Sequence, residues 1–215
     1  MTRTPKAQTS TIVVGLRATN AQLRLRAALA SGTSPDPEFV AALIERSAVE
    51  PDFFVRDMLT WALTRHDPND VVPLLIGELR SSPPQARSQA LHTLSKIGDS
   101  SMWGSVPSSL LTDRDDEVAR AAWRAAVALA PESSEVAAIL VTQLGRGNDE
   151  LQRSLSRAFV GIGHDSLNLI LRAQSSDDPD VRAHAVATEA LMRDPDTGFA
   201  DSLHEARRTV ALKGR

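Results

Sequence analysis

Hydrophobic and small residues recur along this chain at three-to-four-residue spacing, the period of an α-helix that buries one face. No stretch keeps the alternation of β-branched residues that marks a strand, so the pattern predicts helices and no sheet. The helical stretches are separated by short runs rich in helix-breaking residues, namely AVEPD, RSSPP, TDRDD, GRGND and SSDDP. The pattern therefore predicts pairs of helices joined by tight turns.

One motif returns along the chain: a polar turn, an apolar residue, and then usually a basic residue. The residue after the apolar position is, in order, Arg24, Arg56, Arg87, Ala119, Gln152 and Arg182. Successive members are separated by 32, 31, 32, 33 and 30 residues. Such a steady period is typical of stacked repeats that contact only their neighbours. The sequence predicts an all-α array of about five to six helical hairpins.

Each repeat is predicted to contain a first helix, A, and a second helix, B, which carries the motif. The predicted A helices are the stretches PEFVAALIERSA, NDVVPLLIGELRS, SMWGSVPSSLLTD, SEVAAILVTQLG and DSLNLILRAQSS, each starting near a capping or helix-starting residue. Residues 1–11 are polar and predicted to be a disordered tail. Residues 12–197 form the predicted repeat region, and residues 198–215 a final amphipathic helix that caps it.

The stretches DFFVRDML, from Asp52, and DPDVRAHA, from Asp178, resemble HEAT repeats of the short bacterial kind related to those of phycobilisome lyases. The resemblance covers roughly Ala21 to Met192 and implies a right-handed α-solenoid whose B helices line the concave side. It also implies that the motif Asp and Arg residues pair in a structural ladder along the turns. The ladder residues would be Asp52, Arg56, Arg87, Asp178 and Arg182.

The amino-acid composition excludes several classes of function. Hydrophobic residues make up 42% of the chain and charged residues 24%, which supplies both a core and a wetted surface. There is no cysteine, which excludes disulfides, thiol catalysis and cysteine-based zinc sites. The formal net charge of -3 gives no overall attraction to nucleic acid. The apolar run near the N-terminus is too short for a signal peptide and no segment could span a bilayer, so a cytoplasmic protein is expected.

The B helices are predicted to present a basic stripe on the face opposite their apolar side. Counted from the first motif residue of each B helix, the second, sixth and tenth following positions share this face. The candidate groove residues at these positions are Trp61, Arg65, His92, Lys96, Arg120, Arg124, Arg153 and Arg157. Arginine forks bind carboxylates and phosphates, and tryptophan offers a stacking surface. The same arginines would also serve as an ordinary solvated face.

No catalytic motif is present, and the five histidines are too scattered to form a metal site. The chain is therefore expected to be a scaffold and not an enzyme, with no cofactor, binding an anionic segment of a protein partner in a basic concave groove. The alternative is nucleic-acid binding. Some glycosylases for alkylated DNA bases are built on HEAT-like repeats and use aromatic residues and a carboxylate. Trp61 stands four residues after Asp57, which weakly resembles such a pair.

Overall fold

The computed structural model describes residues 5–131, 133–196 and 198–213, and in this part of the chain every regular element is a helix. The chain divides into two compact units, Met1–Asp99 with Gly104–Pro107 and Ser100–Trp103 with Ser108–Arg215. The single repeat region predicted for residues 12–197 is thus shared between two units.

The first unit contains three helical hairpins. Its helices are α1 (Pro5–Leu16), α2 (Ala21–Thr33), α3 (Pro37–Ser47), α4 (Phe53–Arg65), α5 (Pro68–Glu78) and α6 (Pro84–Ile97). Helices α2, α4 and α6 are the B helices, and each packs against the A helix that precedes it. The core between them is built from fully buried leucines, including Leu43, Leu59 and Leu91. Burial of these side chains on adjacent helices holds the hairpins together.

Helix α1 corrects one prediction. It begins at Pro5, so the disordered tail predicted for residues 1–11 is wrong for residues 5–11, and residues 1–4 lie outside the described residues. The helix is held because Ile12 and Leu16 are buried. Gly15 permits a close approach to α2, since a Cβ at this position would lie 2.9 Å from the Cβ of Ala27.

The second unit contains the remaining repeats. Its helices are α7 (Asp116–Leu129), α8 (Ser133–Leu140), α9 (Asp149–Ile162), α10 (Leu167–Ala173), α11 (Pro179–Arg193) and α12 (Phe199–Lys213). Helices α7, α9 and α11 are B helices. Helix α12 lies within the predicted capping segment, residues 198–215, of which residues 214–215 are outside the described part.

The A helix predicted at SMWGSVPSSLLTD is replaced by two short 3₁₀ segments, Ser100–Ser105 and Ser108–Thr112. Pro107 separates them. It has no amide hydrogen for a helical hydrogen bond, and it disfavours the α conformation at Val106 before it. The second segment still packs on α7, where the Trp123 indole Nε1 donates to the Leu111 carbonyl at 2.8 Å. Trp123 is fully buried.

The motif residues of α4 and α11 contact backbone groups of their own repeats, and a ladder of Asp–Arg pairs along the turns stays a prediction. Asp52 and Asp178 are N-caps, and their carboxylates accept the free amides at the starts of α4 and α11. Arg56 donates to the carbonyls of Glu50 and Pro51 in the turn before its own helix, and Arg182 donates to the Ser176 carbonyl. Each side chain thus satisfies backbone groups within its own repeat, where capping is worth about 1 kcal/mol.

Arg87 makes the same contact as Arg56, to the carbonyls of Ser81 and Ser82. Gln152, which departs from the motif, also reaches its own turn through Nε2, at 3.1 Å from the Gly145 carbonyl and 3.3 Å from that of Gly147. An amide in place of the guanidinium therefore keeps the contact.

The repeat with Ala119 at the motif position obtains its donor from elsewhere. The Arg146 Nη2 atom, from the next turn along the chain, lies 2.6 Å from the Asp113 carbonyl and 3.2 Å from the Arg114 carbonyl. The same atom lies 2.7 Å from the carboxylate of Asp116. Arg146 thus fills the role that Arg56 has in its repeat.

The first unit contains a buried ion pair that the sequence pattern did not reveal. Arg24 binds Glu50 with two parallel hydrogen bonds of 2.6 and 2.7 Å, and both side chains are almost wholly buried. Burial alone would raise the pKa of Glu50, but the hydrogen bonds from Arg24 and from the Asp52 amide outweigh it and lower that pKa. The pair joins α2 to the turn before α4.

A buried histidine joins α9 to α11 in the second unit. His184 Nδ1 accepts the Gly145 amide at 3.0 Å, so the ring proton lies on Nε2, which is 3.0 Å from the Gln152 carbonyl. Ser156 Oγ lies 3.0 Å from the same nitrogen and 2.7 Å from Thr188 Oγ1. Burial, with the nearby charge of Arg207, lowers the pKa of His184 to about 4. The ring is therefore neutral at pH 7 and fixes the position of α9.

Candidate partner-binding site

The second unit has an open cleft of about 450 Å³ between α7 and α9. We call it the arginine cleft, and the residues that line it are Arg120, Arg124, Val127, Glu150, Arg153, Ser154, Arg157 and Ala158. Four of the eight residues predicted for a binding groove are thus brought together here.

The helical period places these arginines. On α7, Val118, Ala122 and Trp123 face the core, which leaves Arg120 and Arg124 one turn apart on the opposite face. On α9, Leu155 and Phe159 are buried in the same way. Arg153 and Arg157 are then exposed, also one turn apart. Because α7 packs beside α9, the two pairs face one cleft.

The four guanidinium groups differ in their partners. Arg120 binds Glu150 at 2.9 Å and approaches Glu117 at 3.5 Å. Arg124, Arg153 and Arg157 make no ion pair within the described residues. Partial burial and the positive charge of Arg120 lower the pKa of Arg124. The cleft therefore holds an uncompensated positive charge.

The predicted basic stripe has no cation on α11. The equivalent positions on that helix are Ala183, Ala187 and Leu191, and α12 buries all three beneath Phe199 and Leu203. Small residues at two of these positions let the capping helix lie close. The cations at the stripe positions of the second unit therefore form a compact group on α7 and α9.

The other four predicted groove residues lie in the first unit. Trp61 and Arg65 are one turn apart on α4, and His92 and Lys96 are one turn apart on α6. The Trp61 ring packs over Gly32 of α2, where a Cβ would lie only 2.4 Å from ring atom Cζ3. The ring retains 38% exposure. A single groove over all the middle repeats stays a prediction.

Sequence reasoning missed Glu150, the carboxylate in the arginine cleft. It stands directly before Leu151, the first motif residue of α9, and in the first turn of that helix. Acidic residues are common in a first turn because their negative charge interacts favourably with the positive end of the helix dipole. This ordinary explanation for Glu150 concealed its contact with Arg120. Its position beside the stripe was nonetheless visible from the repeat alignment. No group of side chains suited to a metal ion occurs among the described residues.

Comparisons with known proteins bear on the fold. No protein-family model matches the chain, and no curated protein matches it. A solved structure, the complex of CpcE and CpcF of phycocyanin lyase from Nostoc sp. PCC7120, contains a chain that matches all of this one with 16% identity. The match covers 90% of that chain with a TM-score of 0.50. The predicted helical-repeat fold of the phycobilisome-lyase type is confirmed.

The same comparison corrects the prediction that the chain is not an enzyme. The matched complex is a phycocyanin lyase, so the fold occurs in an enzyme, and the prediction is contradicted. It rested on the lack of local catalytic motifs. That reasoning was wrong because a fold of stacked helices can bring catalytic groups together from distant positions in the sequence. No helix in the described part of the chain is long and apolar enough to cross a membrane.

Proposed function

We propose that this helical-repeat protein binds a protein partner, and that the arginine cleft holds an anionic segment of it. The observation that carries the proposal is the group of three arginines, Arg124, Arg153 and Arg157, which share one cleft without an anionic partner among the described residues. Guanidinium groups bind carboxylates and phosphates with planar, paired hydrogen bonds. An extended acidic segment would supply several such groups at once.

The resident Glu150 supports this chemistry. Its carboxylate is already held by Arg120 at 2.9 Å, so an arginine of this cleft binds a carboxylate. The structural likeness also favours a protein partner, because the matched chain belongs to a complex of two proteins. The compact grouping of the cations suits one segment of a protein better than a long nucleic-acid backbone, which binds along an extended basic surface.

The test compares the wild-type protein with Arg124→Glu/Arg157→Glu in binding a fluorescent peptide of ten glutamates. The matched control is Arg114→Glu/Arg172→Glu, which makes the same charge change at two exposed arginines outside the cleft. Fluorescence anisotropy should show loss of binding only for the cleft variant. Equal loss in both variants would mean that net charge, and not the cleft, attracts the peptide. Preference for an oligonucleotide of ten thymidines would support the nucleic-acid alternative.

A further inference from the structure

We infer that the anionic group recognised by the arginine cleft is a phosphorylated side chain, a phosphomonoester carried by the protein partner. This inference rests on the proposed function and names the chemical group that the same cleft selects. A peptide with one phosphoserine would be its simplest ligand.

The charge balance of the cleft supports a dianion. Four arginines and one glutamate line it, which leaves a formal excess of three positive charges. Glu150 neutralises only Arg120. A single carboxylate would compensate one of the three remaining guanidinium groups, whereas a phosphoryl group has about -1.5 to -2 charges at pH 7 and three strong acceptor oxygens. A phosphoryl group can therefore bind several arginines at one point.

The surroundings of the arginines favour recognition of a compact group. The Arg120 side chain is only 18% exposed. Val127 and Ala158 add apolar surface beside the guanidinium groups. Ser154 adds a hydroxyl that can donate to a phosphoryl oxygen. Partial burial and repulsion from Arg120 lower the pKa of Arg124, and a dianion between the two arginines would relieve that repulsion.

The limits of the cationic group argue against a phosphodiester backbone. Each phosphodiester has one negative charge, so a nucleic acid gains affinity by spreading many contacts along its length. In the second unit the stripe positions are cationic only on α7 and α9, because the matching positions of α11 are apolar and lie under α12. A local excess of charge on two helices matches one concentrated anion.

The test uses three peptides of identical sequence that differ at one central position: phosphoserine, glutamate and serine. Fluorescence anisotropy with the full chain should give about tenfold tighter binding for phosphoserine than for glutamate, and still weaker binding for serine. Arg124→Gln and Arg157→Gln should each reduce the phosphoserine preference to about threefold or less. Arg114→Gln, outside the cleft, should leave it unchanged. Circular dichroism of each variant establishes that the fold is retained.

The outcomes separate this inference from the proposed function. If phosphoserine and glutamate peptides bind equally, and both depend on Arg124 and Arg157, the cleft binds acidic segments and the phosphate inference is wrong. If no peptide depends on these arginines, the proposed function fails as well. Inorganic phosphate should compete with the phosphoserine peptide at millimolar concentration, and tighter binding of an oligonucleotide than of the phosphoserine peptide would overturn the inference.

Discussion

Lowering the pH from 7.5 to 5.0 should destabilise the second unit, because His184 is buried there in its neutral form. Its pKa is about 4 in the folded chain and 6.5 as an exposed ring. The unfolded chain therefore binds more protons between these values, so stability is complete above about pH 6.5 and is lost as the pH falls toward 4. At pH 5.0 the loss is about 2 kcal/mol, approaching about 3 kcal/mol below pH 4.

Urea unfolding at the two pH values measures this loss. In a Trp61→Phe background the two remaining tryptophans, Trp103 and Trp123, both lie in the second unit, so their fluorescence reports its unfolding. With a urea dependence of about 1–2 kcal/mol/M, a loss of about 2 kcal/mol lowers the midpoint by about 1–2 M. Circular dichroism at both pH values shows whether the unit remains folded before urea is added.

The decisive comparison is His184→Gln. Glutamine keeps part of the hydrogen bonding but has no titrating ring, so this variant should be less stable at pH 7.5 and should lose about 2 kcal/mol less than the wild type between the two pH values. His204→Gln, at an exposed position of α12, should keep the wild-type loss. The reasoning is refuted if His184→Gln loses as much stability on acidification as the wild-type protein.

Three further predictions concern the ion pairs and the arginine cleft. Glu50→Ala should destabilise the first unit by about 3 kcal/mol in urea unfolding, because it leaves a buried guanidinium unpaired, whereas Glu45→Ala, at an exposed pair, should cost less than about 1 kcal/mol. Arg146→Ala should lower the free energy of unfolding by about 1–2 kcal/mol in urea unfolding. Adding Ala119→Arg should restore most of this stability, because the new arginine can reach the same turn carbonyls. Glu150→Gln should tighten binding of the phosphoserine peptide about threefold in anisotropy, because it removes the anion that competes for Arg120.

Each of these predictions has a result that would contradict it. Equal costs for the two glutamate variants would mean that the buried pair contributes no more than a surface pair. Further destabilisation by Ala119→Arg would show that Arg146 and Arg56 do not have equivalent roles. Weaker peptide binding by Glu150→Gln would mean that this carboxylate orients Arg120 for the ligand and does not compete with it.

The B helices were predictable because one local pattern, a capping or helix-starting residue followed by an apolar and usually a basic residue, marks where each begins. The fate of the basic residue was harder to predict. A guanidinium can reach a carboxylate in a neighbouring turn or the carbonyls of its own turn. The same sequence pattern is compatible with either contact. Arg56 and Arg182 make the second choice. The role of Arg146 was hidden because it lies outside the repeating position.

The arginine cleft was predictable in part. Helical periodicity alone placed Arg120 and Arg124 on one face of α7, and Arg153 and Arg157 on one face of α9. It could not reveal that Glu150 neutralises Arg120, since this contact depends on how two helices pack. The change to alanine at positions 183 and 187 was a visible sign that another helix covers this face of α11. Pro107 was likewise a visible sign against a continuous A helix before α7.

The donor that Arg146 supplies to a preceding turn also bears on synthesis at the ribosome. A nascent chain that has emerged only as far as α7 has the carbonyls of Asp113 and Arg114 but not yet the guanidinium that binds them. That hairpin can complete its hydrogen bonding only after the following turn has left the exit tunnel. For the same reason, deleting α8, α9 and the turn between them would remove the guanidinium that donates to the turn before α7. These repeats therefore cannot be exchanged without loss of a hydrogen bond in the preceding repeat.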